Sequence, residues 1–284
     1  MVFRATVQDK VSNHNNKNIL SAIEWFKGRT LCIATMHAKE QVLAPLLEKH
    51  LGVKVCVPYQ LNTDVFGTFS GKTKRVVSPL EAALLKIEAA QKITDADLFV
   101  ASEGSFGPHP QIPFVPADDE ILVFKDYANK LEVKARELSF ETNFNAAFCK
   151  DITEVKAFAE KAQFPAHALV IKKTKEEPDE MFSGITDWDT LNYLAIDMLQ
   201  KNQSVYLETD MRAMFNPTRM RVIEKACENL IQKLFSCCPF CKTPGFDVTQ
   251  IISGLLCSWC RRPTNSTAAH IYTCSNCFYK LEKK

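Results

Sequence analysis

Three Cys-x-x-Cys pairs near the end of this 284-residue chain constrain its fold more than any other feature of the sequence. The pairs are Cys238/Cys241, Cys257/Cys260 and Cys274/Cys277, and they are separated by 15 and 13 residues. Two residues between thiolates let a tight turn aim both sulfurs at one tetrahedral ion, and two such turns complete a structural zinc site. The spacing therefore predicts a zinc-ribbon-like module over residues 236–284, with all six thiols as candidate ligands.

A disulfide cluster is the competing explanation for these cysteines. The N-terminus has no apolar core followed by a small-residue cleavage site, so it does not resemble a signal peptide, and a reducing cytosol disfavours disulfides. We therefore expect a cytoplasmic protein with no membrane partner and with one or two structural zinc ions. The spacing leaves open which pairs share an ion, whether one pair stands idle, and whether Cys237 or His270 completes a second site.

The charge of the chain does not identify a partner. The whole chain has a net charge of +2, and residues 236–284 carry six positive and two negative side chains, which thiolates around zinc partly offset. The aromatic side chains of Trp259, Phe278 and Tyr279 could stack on bases, but in so small a module we expect them to form its core. The ribbon is predicted to be a scaffold, or a contact site for a protein or nucleic-acid partner.

Residues 1–235 are predicted to form one α/β body, because apolar strand-like runs alternate with amphipathic helical segments. The fold class expected is a mixed, largely parallel sheet flanked by helices. The predicted strands are 29–36, 53–59, 97–102, 167–173 and 204–208, with a hairpin of 120–126 and 131–138. The predicted helices are 38–52, 78–93, 152–163, 188–200 and a last helix that ends near Leu234. Residues 173–184 are interpreted as a loop within this body.

Polar stretches follow the first three predicted strands, at the point where each strand ends. In a parallel sheet these ends meet at one edge, where ligands bind. We therefore expect one cleft that binds a phosphorylated small molecule. Its candidate residues are Thr35, His37, Lys39, Asp64, Thr68, Ser70, Arg75, Glu103, Ser105 and His109.

The residue types in this cleft suit a phosphate and a hard metal ion. Thr35 and Lys39 lie where a helix N-terminus favours an anion, while Glu103 and Asp64 offer oxygen ligands for Mg²⁺. The alternative is that these are solvated loop residues, and that Gly107 to Pro110 simply builds a rigid turn.

The segment "ETDMRAMFNPTRM" (208–220) has a similar character. Asn216 is a natural N-cap for the helix that Pro217 begins, and Arg212 and Arg219 can grip a phosphate bidentately. An ion pair between Asp210 and an arginine, which would only stabilise the loop, explains the same residues equally well.

The chain resembles two groups of proteins. The segments "IATMHAKE", "TDVFGTFSG", "ASEGSFGPHP", "ETDMRAMFNPTRM" and "CPFCKTPGF" resemble an uncharacterised bacterial family of unknown function over nearly the full length. Residues 29–107 are also similar in layout to nucleoside triphosphate pyrophosphatases of the inosine-triphosphatase-like superfamily. That second resemblance implies that Thr35 and Lys39 bind phosphate and that Glu103 is a metal ligand or base. Met36 and His37 stand where those enzymes have an asparagine, so that contact is missing here.

Two functions follow as expectations. The first is a Mg²⁺-dependent hydrolase of a phosphorylated small molecule, such as a nucleoside triphosphate, with Glu103, Lys39 and Asp64 as its catalytic residues. The second is a non-catalytic adaptor whose body binds an anion and whose ribbon contacts a partner.

Overall fold

The computed structural model describes residues 22–61, 77–175 and 180–284. Its strands are β1 (Thr30–Ile33), β2 (Lys54–Cys56), β3 (Leu98–Pro108), β4 (Pro116–Asp126), β5 (Leu131–Ser139), β6 (Ala146–Cys149), β7 (Leu169–Lys172), β8 (Met181–Ile185), β9 (Val205–Thr209), β10 (Asp247–Ser253), β11 (Thr267–Thr273) and β12 (Lys280–Lys283). Its α-helices are α1 (Glu40–Leu51), α2 (Pro79–Gln91), α3 (Ile152–Lys161), α4 (Trp188–Lys201) and α5 (Pro217–Phe235), and Ala213–Phe215 forms a 3₁₀ turn.

A five-stranded sheet in the order β2-β1-β3-β4-β5 forms the first layer. The strands β2, β1 and β3 are parallel, and β4 is antiparallel to both of its neighbours, so four of the five strands point the same way. Helices α1 and α5 contribute to the apolar core on one face, and α2 contributes to the core on the other. The predicted mixed, largely parallel sheet flanked by helices is therefore confirmed.

The helix ends follow from local sequence signals. Ser78 and Glu81 form the predicted capping box at the start of α2, with backbone-to-side-chain hydrogen bonds of 3.2 and 2.8 Å. Asn216 caps α5, and Gly52 ends α1 in the left-handed conformation at φ 67°. Each signal acts within one helical turn.

Strand β3 is longer than predicted. The interpretation of residues 103–110 as a polar loop was wrong for residues 103–108, which belong to this strand. Strand β4 pairs with β3 from Leu98 opposite Asp126 to Pro108 opposite Pro116, which satisfies the backbone of the polar stretch. The alternation of a strand then separates its side chains. Ser102, Gly104 and Phe106 share the α1/α5 face, whereas Glu103 shares the α2 face.

A second sheet, in the order β6-β9-β7-β8, has only antiparallel pairings and packs with α3 and α4 around its own core. Strand β8 begins at Met181, so the loop predicted for residues 173–184 was wrong at its end, where the chain returns to pair with β7. Apolar periodicity predicted two of these four strands, β7 and β9, but carried no information on which sheet each one joins.

The C-terminal residues form a three-stranded antiparallel sheet, β10-β11-β12. Its small core consists of Cys238, Phe246 and Cys274, with Tyr272 and Leu281 packed against them. The aromatic core expected here was wrong in part: Trp259 is 93% exposed and Phe278 is 75% exposed. Sulfur atoms and Phe246 occupy the interior in their place. Within the described ranges, no helix is long and apolar enough to cross a membrane.

Candidate functional site

Six ionisable side chains are buried at one edge of the five-stranded sheet, the edge at which β1 ends. Lys39, Asp118, Glu120 and Arg219 interact on the α1/α5 side, and Lys86 pairs with Glu103 on the α2 side. We call the first four residues, together with Ser102, the buried charge cluster. Burying a charge is costly unless it is paired, and such clusters occur preferentially at functional sites.

Lys39 links the segment after β1 to β3. It is the last residue before α1, and its ammonium donates hydrogen bonds to the carbonyl oxygen of Ser102 at 3.1 Å and to its hydroxyl at 2.9 Å. Burial, and then the positive charge of Arg219, lower the pKa of Lys39 to about 7, although Glu120 opposes the shift. This lysine can therefore exchange a proton near neutral pH.

Arg219 is fully buried and is bound from several directions. Its Nε donates to Glu120 Oε1 at 2.6 Å, its Nη1 donates to the carbonyl oxygen of Met211 at 2.5 Å, and its guanidinium lies 5.1 Å from the ring centre of Phe106. A Cβ on Gly104 would overlap the Glu120 carboxylate and lie 2.7 Å from Arg219 Nη2. Position 104 of β3 must therefore be glycine, because the ion pair of Glu120 and Arg219 lies directly against it.

Asp118 is the most unusual member of the cluster. It is fully buried, and neither of its carboxylate oxygens has a hydrogen-bond partner among the described residues. Burial, and then the neighbouring Glu120, raise the pKa of Asp118 to about 8, although Arg219 and Lys39 act in the opposite direction. A buried carboxyl group without a partner is rare in folded proteins and points to a proton or ligand site.

Glu103, one of the two acidic residues predicted for the cleft, lies on the α2 side. There it forms a buried ion pair with Lys86. The charges of Glu103 and Lys86 still influence the pKa of Lys39. The pair of Glu103 and Lys86 therefore lies close to Lys39, across the sheet from it.

The loop after β9 contains the predicted ion pair. Arg212 and Asp210 are in contact at 2.6 Å, and the Asp210 carboxylate also accepts a hydrogen bond from the backbone of Gly184 at 3.0 Å. Asn216 accepts a hydrogen bond from the backbone of Arg219 at 3.0 Å and donates one to Asn143 at 2.8 Å. Arg212 thus stabilises the loop, whereas Arg219 belongs to the buried charge cluster.

A cavity of about 460 Å³ lies between the two sheets, within the volume range of small-molecule sites. Phe106 belongs both to its lining and to the surroundings of Arg219, and it stacks on Phe144 with ring centres 5.8 Å apart. The cavity is lined by Ser105, Phe106, Phe144, Asn145, Ala146, Lys175, Tyr206, Glu208, Thr209 and Met211.

The remaining predicted residues are not all brought together. Thr35 is buried and His37 is half-buried between β1 and α1. His109 lies beyond the end of β3 and stacks on Phe140 at 4.6 Å. At about 3.3 Å per residue this is about 20 Å along the strand from Ser102, so His109 does not reach Lys39. The other four candidates, Asp64, Thr68, Ser70 and Arg75, lie outside the described residues.

Sequence reasoning missed Asp118 because the predicted strand began only at residue 120, and it assigned no role to Glu120 at the start of that strand. A signal for them exists in "PADDEILVF" (116–124). Leu122 and Phe124 are core residues, and the side chains of a strand alternate, so positions 118 and 120 fall on the same apolar face.

The second candidate site is a cluster of four cysteines, Cys238, Cys241, Cys274 and Cys277, whose sulfurs lie within 4.8 Å of one another. The closest contacts are 3.7 Å between Cys238 and Cys277 and 3.5 Å between Cys241 and Cys274. Sulfurs about 2.3 Å from one tetrahedral zinc ion would be about 3.8 Å apart, so the cluster could hold such an ion. The first and third Cys-x-x-Cys pairs thus share a site.

Neighbouring polar groups support thiolates in this cluster. The Thr243 hydroxyl lies 3.2 Å from the Cys241 sulfur, and Asn276 hydrogen-bonds to that hydroxyl at 3.1 Å. Burial disfavours a Cys241 thiolate, but hydrogen bonds from Thr243, Cys277 and Cys274 together outweigh it and lower the pKa of Cys241 to about 6. At Cys277 a backbone hydrogen bond from Tyr279 favours the thiolate. Burial and the neighbouring sulfurs nevertheless raise the pKa of Cys277 to about 12. The four sulfurs therefore compete for protons, which a bound cation would relieve.

Comparison with known proteins places these features in a family. The family described as "Domain of unknown function (DUF6671)" matches residues 86–284, which include most of the buried charge cluster and all three cysteine pairs. No curated protein is significantly similar to the chain. The crystal structure of protein VC0702 from Vibrio cholerae is matched with a TM-score of 0.34 and 10% identity, over 74% of this chain and 96% of that one.

Proposed function

The chain belongs to the DUF6671 family, and we propose that it is a hydrolase of a phosphorylated small molecule whose catalytic centre is the buried charge cluster. The observation that carries the proposal is Asp118, a fully buried carboxyl group without a hydrogen-bond partner in the described ranges, beside Glu120, Lys39 and Arg219. Two carboxyl groups next to two cations are the charge arrangement that phosphate chemistry uses. Nucleoside triphosphates are the first substrates to test.

Asp118 and Glu120 have the ligand chemistry for Mg²⁺, because each has a carboxylate oxygen without a partner in the described residues. When bound, the ion would supply Lewis-acid stabilisation of a phosphoryl oxygen. As a ligand, Asp118 would be in its carboxylate form, without the proton that it holds near neutral pH.

Lys39 is the proposed proton carrier. With a pKa near 7, it is present at neutral pH both as an amine and as an ammonium ion. In the reaction, an oxygen–phosphorus bond forms from water and the bond to the leaving oxygen breaks. The Lys39 amine takes the proton from water, and the ammonium returns it to the leaving oxygen. Ser102 positions the amine through its two hydrogen bonds.

The substrate body is assigned to the cavity between the two sheets. Phe106 lines this cavity and also contacts Arg219, and together with Phe144 it supplies aromatic surface for the substrate body. In this proposal the phosphate end of the ligand lies toward Arg219.

The test is a panel of nucleoside triphosphates with Mg²⁺, assayed for release of phosphate and pyrophosphate. We expect Asp118→Asn and Lys39→Met each to reduce turnover at least about 100-fold, since the first removes a proposed Mg²⁺ ligand and the second removes the proposed proton carrier. Asp119→Asn is the matched control, because Asp119 lies between Asp118 and Glu120 but forms a surface ion pair with Arg136. Full activity of Asp118→Asn would reject this centre. Loss of turnover only in Glu103→Gln would move it to the α2 side, and absence of turnover on the whole panel would reject the hydrolase.

A structural zinc ion in the four-cysteine cluster is part of the same proposal. Four thiolates are the ligand set of closed, structural zinc sites. Elemental analysis of protein purified without chelator should find at least about one zinc ion per chain.

The adaptor remains the second candidate, and one observation favours it. The ribbon exposes large apolar side chains, among them Phe240, Trp259 and Phe278. Apolar side chains concentrated on so small a module are typical of surfaces that contact other molecules. Folded, zinc-loaded protein without turnover on the panel would favour this function.

A further inference from the structure

The three Cys-x-x-Cys pairs form the same local structure. In each, the backbone N–H of the first cysteine donates to the carbonyl five residues later, at 2.9 Å in all three turns. The N–H four residues later donates back to the carbonyl of that cysteine, at 2.9, 3.0 and 3.1 Å. The residue at that fourth position has a φ of 64° at Lys242, 58° at Arg261 and 59° at Phe278. We call each of these turns a knuckle.

Only two of the three knuckles meet. Those of Cys238 and Cys274 point their sulfurs at a common centre, while Cys257 and Cys260 belong to no group of three or more metal-capable side chains in the described part of the chain. Backbone N–H groups of Cys260 and Trp259 nevertheless point at the Cys257 sulfur. The N–H of Cys277 points at the Cys274 sulfur in the same way in the four-cysteine cluster. The middle knuckle is therefore shaped for a metal ion but supplies half of a tetrahedral ligand set.

The position of the middle knuckle leaves its sulfurs accessible. It lies in the loop that joins β10 to β11, held by a bridge between Leu256 and Pro263 and by a hydrogen bond from Thr264 to the carbonyl of Leu255 at 2.7 Å. Cys260 is exposed. Around the sulfurs, Leu255 and Leu256 are each about half exposed, and Trp259 is almost fully exposed. Thiols and apolar surface thus occur together on one loop.

We propose that the knuckle of Cys257 and Cys260 binds a zinc ion together with the same knuckle of a second copy of this chain. A two-fold axis through the ion supplies the two missing thiolates without any other ligand, and isologous contacts of this kind are the commonest in homo-oligomers. The contact between the two copies would also bury Leu255, Leu256 and Trp259 of both. The charges are of opposite sign, because four thiolates around zinc carry −2 and each copy contributes the positive side chains of Arg261 and Arg262 beside them.

The test is the mass of the full, reduced chain in solution, measured by light scattering during gel filtration, together with its zinc content. With zinc we expect a dimer with about 1.5 zinc ions per chain, one in each four-cysteine cluster and one shared. The double variant Cys257→Ser/Cys260→Ser should be a monomer with about one zinc ion per chain. Zinc retained in the four-cysteine cluster of this variant would show that the rest of the ribbon is folded. Ser258→Ala, in the same knuckle but without a sulfur, should behave as the wild type.

Three results would overturn the proposal. A monomeric wild type with zinc, whatever its zinc content, would show that no second copy completes the site. A dimer that persists in the double variant would locate the contact elsewhere. A dimer that appears only without reducing agent, and that survives denaturation, would be a disulfide product.

Discussion

Replacing Asp118 with asparagine tests the environment of the buried charge cluster directly. The side chain is fully buried, and the substitution removes the ionisable group at nearly constant volume. No hydrogen bond among the described residues is lost, because neither carboxylate oxygen makes one there. The change in stability should therefore report the cost of ionising this carboxyl group.

The magnitude follows from the pKa of Asp118, about 8 in the folded protein against about 3.9 in an unfolded chain. Below about pH 4 both states hold the proton, and the carboxyl group contributes no pH dependence. Between about pH 4 and pH 8 only the folded state holds it, so stability falls as the pH rises, by about 1.4 kcal/mol per unit. Above about pH 8 the full penalty, on the order of 5 kcal/mol, is present.

Asparagine does not titrate, so the advantage of Asp118→Asn should grow with pH. We expect its free energy of unfolding, relative to the wild type, to increase by about 4 kcal/mol between pH 5 and pH 8. Urea unfolding in Mg²⁺-free buffer, followed by tryptophan fluorescence, measures this difference. Trp188→Phe and Trp259→Phe in the background leave Trp25, which packs against the core of the five-stranded sheet, as the reporter.

Asp119→Asn is again the control, because its partially exposed ion pair with Arg136 should contribute at most about 1 kcal/mol. A relative stability of Asp118→Asn that changes by less than about 0.5 kcal/mol across this pH range would refute the reasoning. It would mean that the Asp118 carboxylate is solvated or paired in the folded protein.

Two further predictions address the packing of the cluster and the metal site. Gly104→Ala should destabilise the protein by about 2–4 kcal/mol, because its methyl group would displace the ion pair of Glu120 and Arg219. Gly107→Ala, with no atom within 4 Å of the added Cβ, should change the midpoint of urea unfolding little, and equal effects of the two would contradict the assigned role of Gly104. Cys238→Ser/Cys241→Ser should remove about one zinc ion per chain and loosen residues 236–284, seen as faster amide exchange there, while Cys56→Ser keeps the metal. Loss of structure throughout the chain would instead show that the ribbon is required for the body to fold.

The sequence by itself determined the features that depend on residues a few positions apart. The capping box of Ser78 and Glu81, the left-handed end of α1 at Gly52 and the cap at Asn216 each involve one helical turn. The cysteine pairs are similar, because a knuckle is complete within six residues. Alternating apolar patterns were sufficient to predict a mixed sheet covered by helices.

Only the tertiary structure decided which distant elements meet. The ladder with β4 extended β3 to Pro108, so a sequence rich in turn signals became a strand. Strand alternation then moved Glu103 to the α2 side and brought Glu120 to Arg219, 99 residues away. The cysteine cluster joined the first and third knuckles although the second is nearer in sequence to both. The free energy of these arrangements comes from burying surfaces and charges shared by distant segments, and local spacing carries no record of that.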